Sequence, residues 1–136
     1  MSMAAVFEIA GSAMTAQSKR LNVVASNLAN ADSAASSTGG AYRARQVVFS
    51  ATPVGRDASA VGVQVSRVIE DSRPPRLQYE PGHPLADARG YVTLPNVDAV
   101  EEMVNMISAS RAYQTNADVM NAAKTLSLRT IALLQS

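Results

Sequence analysis

Residues 98–134 read DAVEEMVNMISASRAYQTNADVMNAAKTLSLRTIALL, and the fold turns on this stretch. Asp98, followed three positions later by Glu101, is a capping-box signature, and Pro95 just upstream limits any extension backwards. No Gly or Pro occurs between Asp98 and Leu134, so the spacing predicts one helix of roughly 37 residues, ~55 Å long. Its apolar side chains fall on two stripes. One runs Met103, Met106, Ser110, Tyr113, Ala117, Met120, Ser127, Ile131 and Leu134, with Lys124 its one charged interruption. The other, about 100° round the helix, runs Ala109, Ala112, Val119, Ala123, Leu126, Thr130 and Leu133. The polar stripe left between them is narrow: Glu101, Asn105, Ser108, Arg111, Thr115, Asp118 and Arg129. A helix with two apolar faces needs more than one neighbour.

Residues 4–31 carry a second helical pattern. Phe7, Met14, Leu21 and Leu28 recur every seven positions, and Met3, Ala10, Gln17, Val24 and Ala31 fill the companion positions. Gly11 weakens such a helix by about 1 kcal/mol relative to Ala. Asn27, Asn30 and Asp32, then a Ser/Ala/Gly run to Gly40, end it. Between the helices, Val47, Val48 and Phe49, the alternating Val61, Val63 and Val65, and then Tyr91, Val92 and Leu94 are strand-like. Gly55, Gly62, Pro74, Pro75, Pro81, Gly82 and Pro84 punctuate them. The pattern therefore predicts a mainly α protein. Long N- and C-terminal helices form a coiled-coil-like hairpin, and a small irregular β region lies between them. The segments expected are 1–33, 34–95 and 96–136.

Composition narrows the chemistry. The chain has 136 residues, 47% of them hydrophobic but only 4% aromatic, so small side chains suited to close helix contact replace a bulky core. Without cysteine there is no disulfide, thiolate or cysteine-held metal. A net charge of +1 supplies no bulk attraction to nucleic acid or anionic lipid. Arg43, Arg45, Arg56, Arg67, Arg73 and Arg76 are interleaved with Asp57, Glu70 and Asp71, which reads as a solvated mixed surface. The beginning lacks a basic region and Glu8 interrupts its apolar run, so no cleaved secretory signal is expected. No apolar run reaches about 18 residues, and no membrane insertion is expected. The one histidine, His83, sits in a Pro-Gly-His-Pro turn with no second ligand nearby. Glu101 and Glu102 project ~100° apart and cannot act together on one substrate. No catalytic residue, cofactor or metal is expected, and an enzyme has no support.

More specific is the stretch 16–31, AQSKRLNVVASNLANA. It resembles the N-terminal motif shared by the axial proteins of the bacterial flagellum, the rod and hook proteins. YRARQVVF at 42–49, YEPGHP at 79–84, GYVTLPNV at 90–97, EEM at 101–103 and MISASRAY at 106–113 extend the resemblance and narrow it to the short proximal-rod members. Residues 34–38 and Arg89 depart from the pattern, both in connections.

The resemblance implies a structural subunit of the basal-body rod, the periplasmic drive shaft around the export channel. Its partners would be copies of itself, other rod proteins and the flagellar type III export apparatus, with no nucleic acid. The competing reading from the same features is a coiled-coil adaptor or chaperone of the flagellar export system. The expected assembly interface comprises Gln17, Leu21, Asn22, Val24, Asn27, Leu28 and Asn30 on the first helix. On the last it comprises Met106, Tyr113, Val119, Met120, Leu126, Ile131 and Leu133. The amides among them can hydrogen-bond between helices and set register where apolar seams would slip.

Overall fold

A computed structural model describes residues 2–35, 39–55 and 60–135. Arg56 and Asp57 of the mixed-charge band, and Ser36, Ser37 and Thr38 of the small-residue loop, lie outside the described residues. The chain runs through six elements: α1 (Met3–Ala29), β1 (Arg45–Pro53), β2 (Val61–Glu70), β3 (Arg76–Tyr79), β4 (Tyr91–Leu94) and α2 (Ala99–Leu134).

Both helices begin on side chains that can cap them. Asp98 Oδ1 accepts the backbone N–H groups of Val100 (2.8 Å) and Glu101 (3.2 Å). The Glu101 carboxylate lies toward Arg73, 3.7 Å away, and the reciprocal half of the capping box is not made. Ser2 caps α1 by accepting from Ala5 N, and Asn30 closes it with its side-chain amide on Ser26 O (2.8 Å).

The expected fold class needs correction. This is not a mainly helical coiled-coil hairpin with a minor β region: about half of the described residues are helical and about a fifth lie in four antiparallel strands. β1 and β2 form a long two-stranded ribbon, Arg45 pairing Glu70 at one end and Pro53 pairing Val61 at the other, with a bulge after Val48. β3 and β4 form a second ribbon, from Arg76 opposite Leu94 to Tyr79 opposite Tyr91. The extra strands are weakly written in the sequence for a physical reason. Only the half of β2 nearest its start packs, and from Ser66 to Glu70 every residue is exposed. A ribbon that faces water on both sides keeps its backbone pairing but needs no alternation of apolar and polar side chains. β3, close to prolines and exposed throughout, carries no pattern at all.

The core is built from small residues. Ala5, Ala10, Ala16 and Val24 of α1 and Ala109 and Ala123 of α2 are buried, while none of the Phe7–Met14–Leu21–Leu28 heptad is fully inside. Alanine lets two backbones approach closely, while the larger side chains remain half-buried at the flanks. The first ribbon lies against α1. There Ser12 Oγ donates to Ile9 O (2.7 Å) and accepts from Val63 N (3.1 Å). A side chain on Gly62 would meet Ser12 Oγ at 2.5 Å and Val54 Cγ1 at 2.8 Å, so the strand can come this close only as glycine.

The helices run antiparallel, with Asn27 beside Glu102 and Arg20 beside Asn105. At equal rise per residue, the start of α1 is then roughly level with Leu126. α2, 36 residues against 27, outruns its partner by about two turns.

Candidate assembly site

The elements are locked together at one end by two asparagines. Asn27 is fully buried, and its amide satisfies all four of its hydrogen bonds inside the chain. Nδ2 donates to Arg45 O (2.8 Å) and Glu102 Oε2 (3.0 Å); Oδ1 accepts from Arg45 N (2.9 Å) and Tyr42 Oη (2.9 Å). One side chain thus ties α1, the entry to β1 and the first turn of α2. Glu102 is itself buried, and its other oxygen accepts from Asn105 at 3.5 Å. Asn96 repeats the device on the other side. Its Oδ1 accepts from Ala44 N (2.8 Å), and its Nδ2 donates to Asp71 O (3.2 Å) and Arg73 O (2.9 Å). Beside this junction Ala31, Ala44 and Val97 pack with Tyr42. Arg76 adds a strap from β3, donating to Ala31 O and Pro95 O.

Around the junction the charges are local and structural. Hydrogen bonds from the Arg73 side chain and backbone hold the Asp71 carboxyl below the usual aspartate range, and the same pair raises Arg73. Asp87 is lowered chiefly by the Tyr91 N–H in the turn before β4. His83 Nδ1 accepts from Leu85 N at 3.1 Å, which places the ring in its turn. Among the described residues there is no group of three or more acidic, His or Cys side chains able to hold a metal. No helix among them is long and apolar enough to cross a membrane.

The interface candidates divide by burial. Val24 and Asn27 are buried, Gln17, Leu21, Leu28 and Asn30 are half-buried or more exposed, and Asn22 is exposed. On α2, Met106 and Met120 are half-buried. Tyr113 lies at the rim of an apolar groove with Gly11, Met14 and Ser18, while Val119, Leu126, Ile131 and Leu133 are exposed. The structure therefore brings together the α1 residues nearest the junction and leaves the outer α2 residues facing outward. Gln17 Oε1 is buried with no hydrogen-bond partner among the described residues.

Two features lie beyond the sequence expectations. Asn96 and Glu102 stand in the sequence only as parts of motifs, GYVTLPNV and EEM, and nothing in their spacing signals a buried role. Val100, Val104 and Ile107, with Met103, make a third apolar face over the first turns of α2, and all four are exposed. Their i, i+3, i+4, i+7 spacing is the signal that marks them.

A family model described as flagella basal body rod protein matches residues 7–34, the bulk of α1 and the turn after it. A second, described as flagellar basal body rod FlgEFG protein C-terminal, matches residues 88–133, from the turn before β4 through α2. The flagellar basal-body rod protein FlgC of Escherichia coli is 57% identical over 137 residues, covering 99% of this chain and all of that protein. The chain belongs to the FlgC family. The FlgC of Salmonella typhimurium is 56% identical over 135 residues, covering 99% of this chain and all of its own. That of Borreliella burgdorferi is 37% identical over 143, covering 93% of this chain and 94% of its own. Family membership makes this chain a structural rod subunit of the flagellar basal body. The match to the FlgC relatives runs end to end, so the segment carrying the ribbons belongs to the family's full length and is no insertion.

Proposed function

We propose that the chain works as a building block whose outward α2 faces are filled by neighbouring rod subunits, its own copies and other rod proteins, in the periplasmic shaft around the export channel. One observation carries this reading: Val119, Leu126 and Ile131 stand exposed on a helix whose own partner lies on another side or ends before reaching them. Asn22, Tyr113 and Leu133 join them as interface residues, while Val24 and Asn27 hold the subunit's own fold. The export route proposed is the flagellar type III apparatus, without a cleaved leader. Mass spectrometry of the subunit in purified basal bodies checks it, and loss of about the first twenty residues, the length of a secretory signal, would overturn it.

The test of the interface is Leu126→Asp. Leu126 is exposed in the single chain, so the purified variant keeps the circular dichroism of the parent. In an assembled rod, where burying a Leu is worth about 1.5–3 kcal/mol, an unpaired carboxylate costs more than that and stops assembly. The expected result is loss of swimming in soft agar with the variant still exported, and near-normal swimming for Arg129→Ala on the polar stripe. A motile Leu126→Asp strain would show that this face stays in water.

A further inference from the structure

The seam between α1 and α2 is built from side chains that barely distinguish one register from the next. Ala109 and Ala123 are the buried alanines of α2; Ala112 follows the first by three positions and Ser127 the second by four. Sliding α1 by one turn, about 5.4 Å, toward the end of α2 therefore puts a small side chain where each buried alanine now stands. The observed register even carries a defect. Gln17 stands on the line Ala10–Gln17–Val24, whose other two members are buried, and its Oε1 has no hydrogen-bond partner among the described residues. An unsatisfied buried acceptor weakens the register that keeps it there.

Four polar side chains near the junction act the other way. Arg20 Nη2 donates to Asn105 Oδ1 (3.3 Å), Asn105 Nδ2 to Glu102 Oε1 (3.5 Å) and Asn27 Nδ2 to Glu102 Oε2 (3.0 Å). Arg20 and Asn27 lie about two turns apart on α1, and Glu102 and Asn105 about one turn apart on α2, so the bonds cross the seam at two levels. Glu102 is only 7% exposed, and its carboxylate rests on two amide donors with the Arg20 guanidinium behind one of them. A one-turn slide takes Asn27 from Glu102 and Arg20 from Asn105. It leaves a buried carboxylate short of donors, which is costly.

We infer that this relay, Arg20–Asn105–Glu102–Asn27, sets the register of the two helices, Arg20 and Asn105 being positioning residues that act through Glu102. The register in turn fixes how far α2 outruns α1. A one-turn slide brings the start of α1 from the level of Leu126 to about that of Thr130, and cuts the overhang from about two turns to about one. Asn96 has a different role. It lies before α2, its partners Ala44, Asp71 and Arg73 lie at strand ends, and none of its bonds crosses the seam. The inference concerns the single subunit and stands apart from the rod reading.

The chain has no cysteine, so introduced pairs can report the register. Met14 shares a groove with Tyr113 and Met120, which places it about level with Ala117 between them. Met14→Cys with Ala117→Cys marks the observed register; Met14→Cys with Met120→Cys marks the register slid by one turn. Each pair is oxidised in dilute purified full chain, and the rates of intramolecular linkage are compared, with circular dichroism to follow the helices. In the parent background the Ala117 pair links faster. With Glu102→Leu and Asn105→Leu added, and Asn27 kept because it also holds Arg45 and Tyr42, the order should reverse. An unchanged order in a chain that keeps its helices would mean that alanine packing or Asn96 holds the register, and would overturn the inference. Should that chain lose its helices, Arg20→Ala decides. It should raise the rate of the Met120 pair relative to the Ala117 pair, while Arg20→Lys, still able to donate to Asn105, should leave the parent's ratio. Equal ratios in Arg20→Ala and the parent would overturn the inference as well.

Discussion

Asn27 shows how much one polar side chain can organise when every one of its hydrogen-bonding positions is used. It joins the end of α1 to the start of β1 and to Glu102 of α2, all at 2.8–3.0 Å. Removing it strands several groups at once, the part-buried backbone N–H and C=O of Arg45 and the buried carboxylate of Glu102. An unsatisfied buried polar group costs about 1–3 kcal/mol, more when charged. Asn27→Ala is therefore expected to lower stability by at least about 3 kcal/mol, measured as a shift in the urea midpoint at unchanged slope. A loss under about 1 kcal/mol would mean that water replaces the amide. Gln17 is the opposite case on the same helix, a buried acceptor with no partner among the described residues.

At the scale of the element, the ribbon β1–β2 stays on α1 through one close approach. Gly62 comes down on Ser12, whose hydroxyl is pinned between Ile9 O and Val63 N and cannot move aside without losing a bond. Gly62→Ala should push the ribbon off the helix at that point. The expected destabilisation is about 1–3 kcal/mol, as for an overpacked core. Protection of the Val63 amide from hydrogen exchange should fall with it. An alanine variant as stable as the parent would show that the ribbon slides freely on α1. The far half of the ribbon, exposed on every residue from Ser66 to Glu70, should be indifferent to the change.

On the scale of the whole molecule, order is polarised. The junction of Asn27, Asn96, Glu102 and Tyr42 gathers the segments at one end, while at the other α2 continues past the start of α1 by about two turns. Local opening free energies follow packing, so backbone amides near the junction should exchange slowest and those of residues 126–134 fastest in the free subunit. Mass-spectrometric hydrogen exchange on the monomer and on isolated basal bodies would read this directly, with the fast segment becoming protected in the rod. Slow exchange of residues 126–134 in the monomer would mean that the chain covers its own tail.

The sequence by itself determined the two helices, the start of the second at Asp98 and, through its motifs, the flagellar rod family; it spread the end of the first over Asn27, Asn30 and Asp32, and the structure puts it at Asn30. These are local or pattern properties: a cap needs only neighbouring residues, and a helix that buries a stripe must repeat at 3.6. Val47–Phe49, the Val61–Val65 alternation and Tyr91–Leu94 were legible as strands because most of their apolar side chains pack, Val61 and Tyr91 at their starts being exposed. What only the tertiary structure decided is the extent of the ribbons, which water-facing strands do not encode in hydrophobicity. It also decided which line of α1 goes inside, since Ala10, Ala16 and Val24 are chosen by how closely two helices approach and not by side-chain size. The roles of Asn27 and Asn96 likewise come from long-range partners, Glu102 and Ala44, that no spacing along the chain announces. The outward faces of α2 became distinct from the inward one only because α1 covers a single side and stops roughly level with Leu126.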